Sequence, residues 1–346
     1  MTLAMDRYLE DIESRIDVDQ EEEILSFWND WSHHRAGSSA LPVHLRGIPS
    51  KLDWPSININ DALVDDELMV IKEFGRVNHT LSRKGAFCLR VRANYGVANI
   101  ATAFGAPLFV MPRETDTLPN VVKLGPEACA ALLDKPLPDK LSGNFQHVMR
   151  VGKLFKQIGE RYPKIGKYVH CEQPDLQGPM DNLELLWGSE LFYALYDEPE
   201  TMHALLSRIS DLIEVEIDEW LKLFPENVGR ANYFRHREKG SLVVRDDSAM
   251  NLSPAFYDEF IAPYDGRLMK KYGGIVHFCG RGDHFIDHLA KLEGLNGINM
   301  SQPHLNNMEK VFACTIDQGL HLTLSVDPFE VRGHDIENLM FLPSGG

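Results

Sequence analysis

The tripeptide His277-Phe278-Cys279 closes an apolar run, GGIVHFC, that reads as a strand. Residues two apart on a strand face the same side, so imidazole and thiol project together while Phe278 packs on the opposite face. This pair is the borderline-soft donor set that zinc favours, with Zn–N at ~2.0–2.1 Å and Zn–S at ~2.3 Å. The bland alternative is a His and a Cys that merely fill a core. What weighs against it is the segment that follows, Gly280-Arg281-Gly282-Asp283-His284, whose glycines permit tight turns while Asp283 and His284 add polar groups.

Three further strand ends carry ionisable residues. His170-Cys171-Glu172 places His170 and Glu172 on one face, and Asp175 and Gln177 follow in a loop closed by Gly178-Pro179. A zinc site needs a third protein ligand, and this region offers candidates. Arg245-Asp246-Asp247 supplies a carboxylate placed to accept a proton or steady a cation, with its neighbour available to pair with Arg245 or to cap the next loop. Arg90 and Arg92 share a face of a fourth strand, with Tyr95 beyond them. Two guanidinium groups so placed suit a carboxylate substrate, although Arg90 equally suits a structural pairing with an acid.

The elements that must position these residues alternate. Strand-then-polar-loop segments recur at 86–96, 167–179, 241–254, 273–284, 295–304, 320–328 and 338–346, and helical periodicity fills 182–196, 198–224, 254–272, 283–292 and 307–318. Ser253 can cap the helix that opens with Pro254. Alternation of this kind implies a parallel sheet covered by helices. Polar residues after the C-terminal ends of several strands, with no glycine-rich nucleotide loop after the first, favour a (β/α)8 barrel over an open doubly wound sheet. A bare barrel takes about 250 residues. We therefore expect N-terminal helices and a linker over residues 1–60 and the barrel over 61–346.

Composition narrows the partners. The chain has 346 residues, and 51 acidic against 35 basic side chains give a formal charge of −16, which disfavours nucleic acid and anionic membranes and favours a small-molecule substrate. There is no apolar run of membrane-spanning length and no secretory signal, so a cytoplasmic location is expected. Five scattered cysteines, an odd number, do not form a disulfide framework. A monomer or homodimer is the expected state.

Residues 175–211 (DLQGPMDNLELLWGSELFYALYDEPETMHALLSRISD), 245–269 (RDDSAMNLSPAFYDEFIAPYDGRLM) and 273–284 (GGIVHFCGRGDH) closely resemble the uroporphyrinogen decarboxylase superfamily, which also holds the zinc-dependent corrinoid methyltransferases of the methylcobalamin:coenzyme M type. The resemblance covers roughly residues 60–346 and implies a (β/α)8 barrel with its site at the C-terminal face. The methyltransferase branch carries a zinc-binding His-x-Cys, matched here by His277 and Cys279. The decarboxylase branch carries an Arg-Gln-Ala-Gly-Arg-Tyr run, and the corresponding place reads Arg90-Val91-Arg92-Ala93-Asn94-Tyr95-Gly96, which keeps Arg and Tyr but loses the run. The third zinc cysteine that the methyltransferases have near the last strand is missing from residues 341–346. Glu172, Cys171 or His284 must complete the site, or the metal role is lost.

The expectation is a zinc-dependent methyltransferase acting with a corrinoid methyl carrier, bound directly or held on a separate corrinoid protein. His277, Cys279 and Glu172 are its metal ligands. Asp247, Arg92, Tyr95 and Gln177 are its catalytic residues, and Arg90, Asp175, Asp246 and His284 bind substrate. The rivals are a metal-free decarboxylase of a polycarboxylate, with Arg90 and Arg92 holding substrate carboxylates, and a non-catalytic corrinoid- or tetrapyrrole-binding protein.

Overall fold

The computed structural model describes residues 3–33, 45–233, 236–324 and 339–341. All seven strand segments expected from the sequence are present, as β1 (Leu89–Val91), β4 (Val169–Cys171), β7 (Leu242–Arg245), β8 (Gly274–Phe278), β9 (Leu295–Met300), β10 (His321–Leu324) and β11 (Leu339–Phe341). Every pairing among them is parallel, which makes this an α/β protein. β7 to β11 form a five-stranded sheet in chain order, and β1 pairs with β4.

The closed eight-stranded ring expected from the sequence is not what the hydrogen bonds among the described residues draw. Between β4 and β7 the ladder gives way to side-chain pairing. Gln173 donates to the Val243 carbonyl (2.6 Å) and accepts from the Val243 amide (2.8 Å), and the Gly178 amide donates to the Arg245 carbonyl. A carboxamide offers a donor and an acceptor, so it satisfies the edge of β7 as a strand would.

Two antiparallel hairpins lie outside the expectation: β2 (Leu108–Phe109) with β3 (Asn120–Val121), and β5 (Arg230–Tyr233) with β6 (His236–Lys239). The second is buried. Strand alternation gives the five-stranded sheet two unlike faces. Val244, Val276, Ile298 and Leu322 point into the main apolar core with the helices, whereas Val243 and Ile275 pack on Ala231 and Tyr233 of β5.

The hairpin is in turn covered by α2 (Val18–Ser32), while α1 (Leu3–Arg15) packs on the helices Asp66–Ser82 and Pro163–Tyr168. Trp31, fully buried, stacks on His321 of β10 (centroids 4.3 Å apart) and donates from Nε1 to Glu238 of β6 at 2.9 Å. Glu238 also receives His321 Nδ1 at 2.8 Å. Burial alone would raise the Glu238 pKa, but the charges and hydrogen bonds of His321 and His236 outweigh it and hold the carboxylate far below its usual range. Trp28 adds a bond from Nε1 to the Ala86 carbonyl at 2.6 Å. No helix among the described residues is long and apolar enough to cross a membrane.

The helices largely follow the expected periodicity. Pro254–Phe260 begins where Ser253 accepts from the Phe256 amide, and Ala262–Tyr272 continues it after a break. The stretch expected to be helical over 283–292 keeps only Ile286–Leu289.

Trp31→Ala should lower stability by about 3–5 kcal/mol, because it opens a cavity and strips a donor from a buried carboxylate. Urea denaturation measures this, and a loss below about 1 kcal/mol would show that α2 is not anchored through Trp31.

Candidate metal centre

Strand register assembles the site. Arg245 of β7 pairs with His277 of β8, His277 with Asn299 of β9, and Asn299 with Thr323 of β10, so four side chains stand in one row across the sheet on the face away from the helices. His277 Nδ1 meets Asn299 Oδ1 at 2.6 Å, and Asn299 donates its amide to Thr323 Oγ1 (2.7 Å) and the Thr323 carbonyl (3.2 Å). Because Asn299 gives its N–H groups to Thr323, its oxygen faces His277. The imidazole proton is thereby fixed on Nδ1 and the Nε2 lone pair is left outward. Burial, then the charge of Arg245, lowers the His277 pKa, which keeps the ring neutral.

The outward Nε2 lies 3.4 Å from Cys279 Sγ and 4.0 Å from Asp247 Oδ1, and the donor atoms of His277, Cys279 and Asp247 all fall within 4.8 Å of one another. Asp247 is aimed by the Cys279 amide, which donates to its Oδ1 at 2.7 Å. Gly280, at φ +80°, turns the chain away directly after Cys279 and donates to Gln302 Oε1 at 2.6 Å.

Tetrahedral ligands bonded to zinc at these lengths sit roughly 3.3–3.8 Å apart. The imidazole–thiol separation is already there, and the carboxylate, 4.0 Å from Nε2, would have to move inward to complete the set. Nitrogen, sulfur and oxygen donors of this kind fit Zn²⁺. The Asp247 side chain remains 43% exposed, so the three donor groups face one open side, and a metal held by them would keep an open position as catalytic sites do. Burial raises the Cys279 pKa above its ordinary value, and a coordinated cation would remove that proton.

Beside Asp247 lies a cleft of about 470 Å³ lined by Gln177, Asp181, Glu184, Arg245 and Ser248, with Lys123 from the loop after β3. Below it the interior is charged. Asp175 forms ion pairs with Arg245 (3.1 Å) and Arg92 (3.4 Å), and the Tyr233 hydroxyl accepts from Arg245 Nε (2.7 Å) and touches Arg92 and Asp175. Arg90 pairs with Glu172.

The other residues singled out in the sequence lie as follows. Glu172, expected as a metal ligand, is paired with Arg90, and Asp247, expected to be catalytic, stands beside His277 and Cys279. Arg90, expected to bind substrate, faces Glu172, and Arg92, expected to be catalytic, faces Asp175, so Asp175, expected to bind substrate, is an interior partner of arginines. Tyr95, expected to be catalytic, donates to Asp66 at 2.9 Å, which also receives Arg150. His284 bonds through Nε2 to the Leu252 carbonyl. Cys171 is buried and its pKa is pushed well up, first by burial and then by Glu172, while Cys314 lies on the helix Met308–Cys314 as expected. Gln177 lines the cleft.

Asp246 is buried behind the site against Asp265, and neither carboxyl meets an N–H or O–H donor. A Cβ on Gly178 would come within 2.0 Å of Asp246 Oδ1, so glycine makes room for it. A proton shared between the two carboxyls satisfies both. Burial and the charge of Asp181 push Asp265 up to about 7, while its hydrogen bond with Asp246 acts the other way.

Neither a protein-family model nor a curated protein matches the sequence. Among solved structures, a methyltransferase from Methanosarcina mazei superposes with a TM-score of 0.62, covering 92% of this chain and 92% of that one at 14% sequence identity. At that identity the likeness establishes a shared fold.

Asn299→Ala should weaken zinc binding about 10–100-fold, as loss of a partner behind a ligating His does. Chelator competition measures it, and unchanged affinity would remove Asn299 from the site. A second expectation concerns Asp265. Its carboxyl keeps its proton up to about pH 7 when folded but releases it at ~3.9 when unfolded. The folded state therefore binds more protons across that window, and stability falls as pH rises through it. Asp265→Asn should flatten this decline in urea midpoint against pH. A variant profile parallel to the wild type from pH 4 to 8 would contradict the assignment.

Proposed function

We propose that the protein is a zinc-dependent methyltransferase, moving a methyl group between a corrinoid and a thiol or methoxylated small molecule. The observation that carries the reading is the convergence of His277, Cys279 and Asp247 on one point with an open side. Its supports are the resemblance of residues 175–211, 245–269 and 273–284 to a superfamily with a zinc-binding His-x-Cys and the fold likeness to a protein described as a methyltransferase. The seven parallel strands fit a (β/α)8 barrel in which side-chain pairing replaces part of the ladder.

Zinc held there would lower the pKa of an acceptor thiol, making it a nucleophilic thiolate at neutral pH. The chain's own residues prepare that step. Asn299 and Thr323 hold the imidazole so that Nε2 alone faces the open side. The Cys279 amide and the turn at Gly280 hold Asp247 and the thiolate together. Arg245, positioned by Asp175 and Tyr233, and Gln177 line the cleft where an acceptor would lie, and the buried wall behind it limits water. The corrinoid, bound directly or carried on a partner protein, is the methyl carrier in this reading.

The metal-free decarboxylase reading loses its main support, because Arg90 and Arg92 are paired with Glu172 and Asp175 rather than turned toward a substrate.

Protein purified without an affinity tag should carry about one zinc per chain by mass spectrometry of metals, while His277→Ala and Cys279→Ser should carry under roughly a tenth of that. The loaded wild type should demethylate methylcobalamin in the presence of a suitable thiol, followed by its visible spectrum. A wild-type protein without stoichiometric zinc sinks the proposal.

A further inference from the structure

A second cavity, of about 660 Å³, lies where β4 meets the buried hairpin and the helices Phe145–Arg161 and Pro163–Tyr168. It shares no lining residue with the cleft beside Asp247. Leu25, Phe74, Phe155 and Phe224 give it apolar walls, and His170, Asn232 and Arg237 form a polar end.

That polar end is unusual in its charge balance. Arg237 is only 8% exposed, and a buried guanidinium is costly unless an anion faces it. Here its partners are neutral: Nε donates to Asn232 Oδ1 (3.2 Å) and Nη2 to His170 Nε2 (3.2 Å). Burial lowers its pKa, and among the described residues the groups acting on its charge are Cys88 and Arg230, neither a carboxylate. His170 cannot compensate. It accepts from Arg237, so it must be neutral, and burial together with Arg237, Arg230 and Arg46 pushes its pKa down to about 3. Asn232 is itself tied to Asn227, which donates to the Cys171 carbonyl, so the polar end is preorganised. Exposed Arg230, Lys156 and Lys167 stand at the rim together with Glu160 and Glu226, and Lys167 is paired with Glu22.

We propose that this cavity binds an amphipathic organic anion, its carboxylate head against Arg237 and Asn232 and its apolar body along Phe74, Phe155 and Phe224. A missing negative charge at one end of a largely apolar chamber calls for such a ligand, even in a chain whose net charge is −16. Arg237 Nη1 makes no hydrogen bond with a described residue and is the group that would receive the second carboxylate oxygen, giving the bidentate geometry that arginine favours. The site is independent of the zinc reading, because no metal-centre residue takes part.

The test is calorimetric titration of the full chain with octanoate, against octanol, which has the body without the charge, and acetate, which has the charge without the body. Octanoate should bind at least tenfold more tightly than either. Arg237→Gln should weaken octanoate at least tenfold, and Phe155→Trp, which narrows the chamber along its apolar wall, should weaken it several-fold, while Asp247→Asn at the metal centre should leave it unchanged. Arg230→Gln alters an exposed residue, so it should fold even where Arg237→Gln does not. It should weaken octanoate a few-fold at low salt. The proposal is overturned if octanoate binds no better than octanol, or if Arg230→Gln and Phe155→Trp both bind it as the wild type does, or if Asp247→Asn removes the binding.

Discussion

The hydrogen bond from His277 Nδ1 to Asn299 Oδ1 is the contact on which the proposed chemistry depends. It settles the imidazole tautomer, and with it which nitrogen faces the cleft. The bond exists only because β8 and β9 pair in a register that places the two residues side by side, and because Thr323, one strand further, fixes the Asn299 amide. A one-residue slip would turn His277 into the helical core and Val276 or Phe278 toward the cleft. The apolar row Val244, Val276, Ile298 and Leu322 penalises that slip, so the large core on one face of the sheet holds the small polar row on the other.

The interior beneath that row is charged rather than apolar, and nearly every charge has a fixed opposite. Asp175 lies between Arg92 and Arg245, Glu172 against Arg90, and Glu238 against His321. Breaking one such pair leaves an uncompensated buried charge, which costs far more than the intact pair gains. The network therefore specifies geometry: Arg245 is held by Asp175 and Tyr233 at the edge of the cleft. Arg237 departs from this pattern, and the departure is what points to a ligand.

The strands and the His-x-Cys pair were legible in the sequence because both rest on local signals, apolar runs ended by polar residues and side-chain alternation. Asp247 was legible as a functional carboxylate but not as the neighbour of His277 and Cys279, since that depends on the lateral register of β7 and β8. Asn299 and Thr323 gave no local signal at all. NGINM and HLTL read as ordinary buried strands, and only their alignment with His277 reveals the row. The β5–β6 hairpin was missed for a different reason. The stretch RANYFRHREK is too charged to look like an interior element, yet Ala231–Tyr233 and His236–Glu238 are buried, with Glu238 and Arg237 finding partners on β4, β10 and α2 that lie far away in sequence. Glu172 looked like a ligand because it follows a strand, and nothing in the sequence discloses that Arg90 reaches it first. Residues 325–338 and 342–346, which include the stretch compared for a third cysteine, lie outside the described residues.

Anomalous diffraction measured on either side of the zinc absorption edge from crystals of the untagged protein tests the central claim most directly. The account predicts a single strong peak bonded to His277 Nε2, Cys279 Sγ and an Asp247 carboxylate oxygen, with its remaining position facing the cleft beside Arg245. A zinc-loaded crystal with no peak at that point, or with the peak beside Glu172 instead, would contradict it.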